Sequence, residues 1–104
     1  MKDAVISPYL TVSFGTQFIF LEAVMDTRVA VISIIVENPE SVERVNELLH
    51  QYSEHIIGRM GIPYRKKSIS IISIALDAPQ DIINTLSGKI GRLDGVSSKA
   101  AYSK

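Results

Sequence analysis

The sequence predicts an α+β domain whose elements run strand, helix, strand, strand, helix, strand. Three observations carry that prediction. Arg28–Val36 and Ser68–Leu76 are dense in valine and isoleucine, residues that favour the pleated, buried surface of a sheet. Two proline-bearing starts, Asn38-Pro39 and Asp77-Ala78-Pro79, each precede apolar residues at spacings of three and four, the pattern of an amphipathic helix. Polar or glycine-containing turns separate what remains.

The first strand, Arg28–Val36, is apolar on nearly every position, which suits the centre of a sheet. Glu37-Asn38-Pro39-Glu40 then opens a helix. Asn38 is a good cap, Pro39 fits the first helical position, and Glu40 and Glu43 favour the positive end of the helix dipole. Val42, Val45, Leu48, Leu49, Tyr52 and Ile56 lie on one face of that helix, and Gly58 is read as its end. A shorter strand, Arg59–Tyr64, contains Gly61 and Pro63. Proline cannot donate to a ladder, so this strand belongs at an edge or is bulged.

Arg65-Lys66-Lys67 makes a polar turn, and Ser68–Leu76 returns as a second central strand. Asp77-Ala78-Pro79 opens the second helix, which buries Ile82, Ile83, Leu86 and Ile90 and is weakened at its end by Gly88 and Gly91. Asp94-Gly95 turns the chain into a last, more polar strand, Val96–Tyr102. Two right-handed crossovers joined by a hairpin give a ferredoxin-like βαββαβ fold. Its four-stranded antiparallel sheet carries both helices on one face. The two most apolar strands occupy its centre. Because helices cover one face only, the apolar residues on the other predict a homo-oligomer, joined through that face or by edge strands.

Residues 1–24 have neither a helical period nor a sustained alternation. They read as an irregular N-terminal extension to the domain of residues 25–104. Two accounts stay open: an arm that packs on a neighbouring subunit, or a start assigned too far upstream, with Met25 the true initiator.

Composition excludes several classes of function. The chain has 104 residues, one domain's worth, with 11 basic and 11 acidic side chains and no cysteine. Zero net charge provides no global field for a nucleic-acid backbone or an anionic membrane. Absence of cysteine removes thiolate nucleophiles, iron–sulfur ligation and the common structural zinc sites. The apolar run Phe18–Leu21 is too short to span a bilayer and is followed by Glu22. A cytoplasmic protein without direct nucleic-acid or membrane contact is expected.

No catalytic constellation stands out. Glu37, Asn38 and Pro39, at the first strand–helix turn, are the candidate ligand-binding residues, because amides at a helix start suit a small molecule's carboxylate; simple capping is the plainer reading of the same residues. His50, Glu54 and His55 are candidate metal ligands between subunits. Five residues is the wrong helical spacing for two rings to share a face, so surface histidines are the plainer reading. Arg59, Arg65, Lys66 and Lys67 form the basic cluster without an aromatic platform, as a solvated hairpin turn does. Ser87-Gly88-Lys89 and Gly91 lack the spacing of a phosphate loop and read as a helix end. The sequence names no cofactor.

From Arg28 onward the chain resembles the iron-only hydrogenase system regulators. The resemblance rests on Arg28–Glu37 (RVAVISIIVE), Ile57–Tyr64 (IGRMGIPY), Ile69–Ser73 (ISIIS), Gly88–Leu93 (GKIGRL) leading into Gly95-Val96, and the tail Lys99–Lys104. It implies an ACT-like ferredoxin fold, a regulatory role linked to hydrogenase maturation or expression, and no catalysis. The fold also looks like the ligand-binding domain of the nickel-responsive repressor, but the histidine and cysteine ligands of that nickel site have no counterpart here. The function expected is therefore a regulatory, homo-oligomeric small-ligand-binding module. A ligand-free adaptor that docks a maturation or regulatory partner is the alternative.

Overall fold

The computed structural model describes residues 26–104. Residues 1–24, read above as an extension, lie outside the described residues. Strand β1 (Arg28–Val36) leads through a 3-10 turn (Pro39–Ser41) into helix α1 (Val42–Gln51). A second 3-10 turn, Ser53–His55, precedes strand β2 (Ile56–Tyr64), and a third, Arg65–Lys67, joins it to strand β3 (Ile69–Ala78). Helix α2 (Gln80–Gly91) and strand β4 (Val96–Tyr102) complete the order βαββαβ.

The sheet runs β2-β3-β1-β4, with every neighbouring pair antiparallel. This is the strand order of the ferredoxin-like fold, and the two apolar strands take its centre. Alternation along them decides what is buried. Ala30, Ile32, Ile34 and Val36 on β1 point toward the helices, as do Ile72, Ile74, Leu76 and Ala78 on β3. Val45 and Leu49 from α1 meet them, with Ile83, Leu86 and Ile90 from α2. The residues between, among them Val31, Ile35 and Ile71, are about 40% exposed on the opposite face. Both helices thus cover one face and leave the other open.

Two boundaries differ from those expected. Helix α1 stops at Gln51 with Tyr52 as its cap, seven residues before Gly58. Ile56 belongs to β2, where it pairs with Leu76, and Gly58 sits at a β-bulge opposite Ala75. The helical spacing of Ile56 is coincidental, because a β-branched residue beside a central strand gains more from the ladder than from one more turn. The second difference is at Asp77 and Ala78. Both remain in β3, paired with Val29 and Arg28, and the helix begins after Pro79. Proline holds the residue before it extended, and Ala78 is fully buried in the core.

Strand β2 is exceptional. Apart from Ile56, all its residues are exposed on both faces, so helix α1 leaves β2 largely uncovered on the helix side. Among the described residues, no helix is long and apolar enough to cross a membrane.

Candidate functional site

The first strand–helix turn is built against the turn before β4. Asn38 Oδ1 accepts a hydrogen bond from Glu40 N at 3.0 Å, capping the 3-10 turn, while its Nδ2 donates to Asp94 Oδ2 at 2.7 Å. The Ser41 hydroxyl, buried, donates to the Asp94 carbonyl at 2.6 Å, and Glu37 N donates to Gly95 O at 2.7 Å. Gly95 adopts φ +70°, and a Cβ placed there would come within 2.7 Å of Asn38 Cβ. Only glycine fits both the left-handed backbone and the close approach. Of the three predicted residues, Glu37 lies exposed at the end of β1 and Asn38 holds the two turns together. The amides of Glu37, Glu40 and Ser41 are all engaged within the chain.

Pro39 has a different surrounding. Together with Val36 and Val42 it forms one wall of a cleft of about 280 Å³, and the tip of the β2–β3 hairpin forms the other. That second wall brings Pro63, Arg65, Ser68 and Ser70. The register explains the meeting. Val36 pairs with Ser70, and Ser70 pairs with Pro63, so all three share the helix side of the sheet, where Val42 at the start of α1 meets them. Ser68 has φ +54°, an uncommon left-handed conformation for a residue with a side chain. It closes the 3-10 turn that its own amide terminates on Arg65 O, at 3.2 Å. The cleft therefore has Val36, Pro39 and Val42 on one side, and Pro63, Tyr64, Arg65, Ser68, Ile69 and Ser70 on its hairpin side.

Such a combination suits a small molecule with a compact apolar body and an acidic group. The hairpin residues of this wall were not among the predicted site. In the sequence Arg65 belongs to a polar turn, and no local signal marks it; the pairing register that sets Ser70 opposite Val36 places it at the cleft.

The three candidate metal ligands are placed apart in function. His55 Nε2 lies 3.4 Å from Glu54 Oε2. His50 lies in a separate groove between α1 and β2, with Leu49, Ile56 and Arg59. Among the described residues, no three His, Cys, Asp or Glu side chains form a group that could hold a metal ion. The basic cluster is also divided. Arg59 turns away from the hairpin tip and donates from Nη2 to Asn46 Oδ1 at 2.9 Å, leaving Arg65, Lys66 and Lys67 at the turn. The segment Ser87–Gly91 is the C-terminal part of α2, where the Ser87 and Ser98 hydroxyls share a hydrogen bond at 2.8 Å and tie the helix to β4.

No curated protein matches the chain. Among solved structures, it is similar to an uncharacterised protein, TM1266, from Thermotoga maritima. The two are 38% identical with a TM-score of 0.72, over 75% of this chain and 99% of that one. The likeness spans nearly all of that protein, so it describes a shared domain. A family model, TM1266-like, described as an iron-only hydrogenase system regulator, matches residues 28–100. Those residues run from the start of β1 to within two residues of the end of β4, and by that match the chain belongs to the TM1266-like family of proposed iron-only hydrogenase system regulators.

Proposed function

We propose that this protein is a non-enzymatic regulatory module of an iron-only hydrogenase system, acting in the cytoplasm as a homo-oligomer that binds a small anionic ligand. The observation that carries the ligand reading is the cleft between the Pro39 turn and the β2–β3 hairpin. Its volume of about 280 Å³ suits a molecule the size of an amino acid or a small carboxylic acid. Arg65 supplies a charge-assisted contact, and Ser68 and Ser70 supply neutral ones. Val36, Val42 and Pro63 supply the apolar surface. Glu37 and Asn38 flank the site through the turn that sets the position of Pro39. Since the hairpin tip is one wall, occupation would alter how β2 is presented to a neighbouring molecule.

The experiment is a thermal-shift screen of small carboxylic acids, amino acids and nucleotides against the untagged protein, with native mass spectrometry of material from its own cells. A true ligand at a hundredfold excess over its dissociation constant stabilises by about 2.7 kcal/mol. The Arg65→Ala variant loses that shift while unfolding normally without ligand. A screen with no shift, and no adduct on the native protein, overturns the ligand reading.

A second reading is favoured by the open apolar face of the sheet. There the protein is a ligand-free adaptor for a maturation or regulatory partner. A stoichiometric partner recovered from native extract, with no ligand effect on its binding, supports the adaptor.

A further inference from the structure

A groove of about 320 Å³ lies between the two helices and shares no residue with the cleft at the hairpin. From α1 it takes Arg44, Glu47, Leu48 and Gln51, whose spacing of three, four and seven places them on one helix face. From the end of α2 and the turn beyond it come Lys89, Arg92 and Leu93. Leu48 and Leu93 pack against the core and form the floor, while the long polar side chains form the two banks. Three cations thus face one carboxylate across an apolar base.

The cations are held in place without being neutralised. Lys89 Nζ donates to the Tyr52 hydroxyl at 3.1 Å and lies 5.5 Å from the centre of its ring, which fixes the ammonium and leaves two of its three donors. Arg92 Nη2 lies 3.7 Å from where a Cβ on Gly88 would stand, so the guanidinium folds back along α2. Among the described residues, no carboxylate lies within ion-pair distance of Lys89 or Arg92. Arg44 Nε is 3.5 Å from Glu47 Oε1, in a pair whose side chains are 69% and 61% exposed, and such a pair contributes little. That contact engages Nε and not the two Nη nitrogens. The helix dipole accounts for cations at the end of α2, but it disfavours Arg44, which stands near the start of α1.

We propose that this groove is a second ligand site, for a phosphorylated small molecule with an apolar body, the chemistry of a nucleotide. A diphosphate carries enough charge to engage both banks, Arg44 from α1 and Lys89 with Arg92 from α2, whereas a single carboxylate satisfies one of them. Leu48 and Leu93 offer the apolar body a surface, and the Gln51 amide offers both a donor and an acceptor. The seven residues that line the groove are far fewer than the roughly twenty a side of a protein interface, and its volume is that of a small-molecule site. The proposal does not depend on the cleft at Arg65.

The test is isothermal titration of the full chain with ADP, pyrophosphate and inorganic phosphate at low ionic strength, with circular dichroism as the measure of folding. ADP is expected to bind at least tenfold more tightly than pyrophosphate. Arg44→Gln and Arg92→Gln, both at exposed positions, are each expected to weaken ADP binding about tenfold, and Arg65→Ala to leave it unchanged. Equal affinity for ADP and pyrophosphate overturns the nucleotide class and leaves a plain anion site. Binding lost in Arg65→Ala and kept in Arg44→Gln and Arg92→Gln assigns the ligand to the cleft and overturns this site while supporting that one. No binding of any of the three overturns the proposal and leaves the groove to the acidic surface of a protein partner.

Discussion

Two residues with left-handed backbone make opposite demands on their side chains. Gly95, at φ +70°, has no room for a Cβ against Asn38. Gly95→Ala is therefore expected to cost about 2 kcal/mol or more, from backbone strain plus displacement of the Asn38 turn. Ser68 already carries the strain, at φ +54°. Ser68→Gly removes it but makes the unfolded chain more flexible, so a net gain of about 0.5 kcal/mol is expected. Urea denaturation midpoints separate the two signs. Asn38 offers a sharper test, since Oδ1 caps and Nδ2 holds Asp94. Asn38→Ala is expected to cost about 1–2 kcal/mol. Asn38→Asp keeps the cap but sets a second carboxylate against Asp94. It is expected to destabilise as much as alanine does, by equilibrium unfolding at neutral pH and low salt.

At the scale of elements, sequence periodicity identified every strand and both helices but misplaced two boundaries. The reason is the same at each. Ile56 has helical spacing with respect to α1, yet its pairing with Leu76 draws it into β2. Asp77 has the chemistry of a helix start, yet the burial of Ala78 keeps the segment in β3. Local signals lost to contacts between residues distant in sequence. Gly58 distinguishes the alternatives experimentally. As a helix terminus it would need a left-handed backbone, and alanine there would be costly. At the bulge a Cβ would meet nothing within 4 Å and φ is not positive, so Gly58→Ala is expected to change stability by less than about 0.5 kcal/mol. By contrast, Ile74→Ala, in the buried row of β3, is expected to cost about 3 kcal/mol in the same assay.

For the molecule as a whole, the ligand cleft and the open sheet face lie on opposite sides of the same hairpin. Pro63 and Ser70 face the cleft, whereas Ile62 and Ile71 face the open surface and Tyr64, at the end of β2, borders the cleft. A ligand against Arg65 and Ser68 would bias the hairpin, and the hairpin contributes a large part of the apolar face. The expected outcome is reciprocal coupling, in which ligand changes the association constant and association changes ligand affinity by the same factor. Isothermal titration at two protein concentrations, above and below the association midpoint, measures it. Equal affinity at both concentrations means that binding and assembly are independent.

The sequence by itself determined the element order, the central places of β1 and β3, the capping role of Asn38 and the existence of an uncovered apolar face. These follow from short-range periodicity, side-chain branching and the one-sidedness of βαβ crossovers, all of which a single chain displays directly. It also marked Pro39, although the rest of that cleft was not legible. Arg65, Ser68 and Ser70 look like ordinary turn and strand residues until the β1–β3 and β2–β3 registers set them beside Val36 and Pro63. The tertiary structure alone decided that meeting, as it decided that Asn38, whose Oδ1 caps its own turn, spends its Nδ2 on Asp94 in the turn before β4. A register is fixed by the packing of whole strands, and a shift of one residue would turn each of these side chains to the other face.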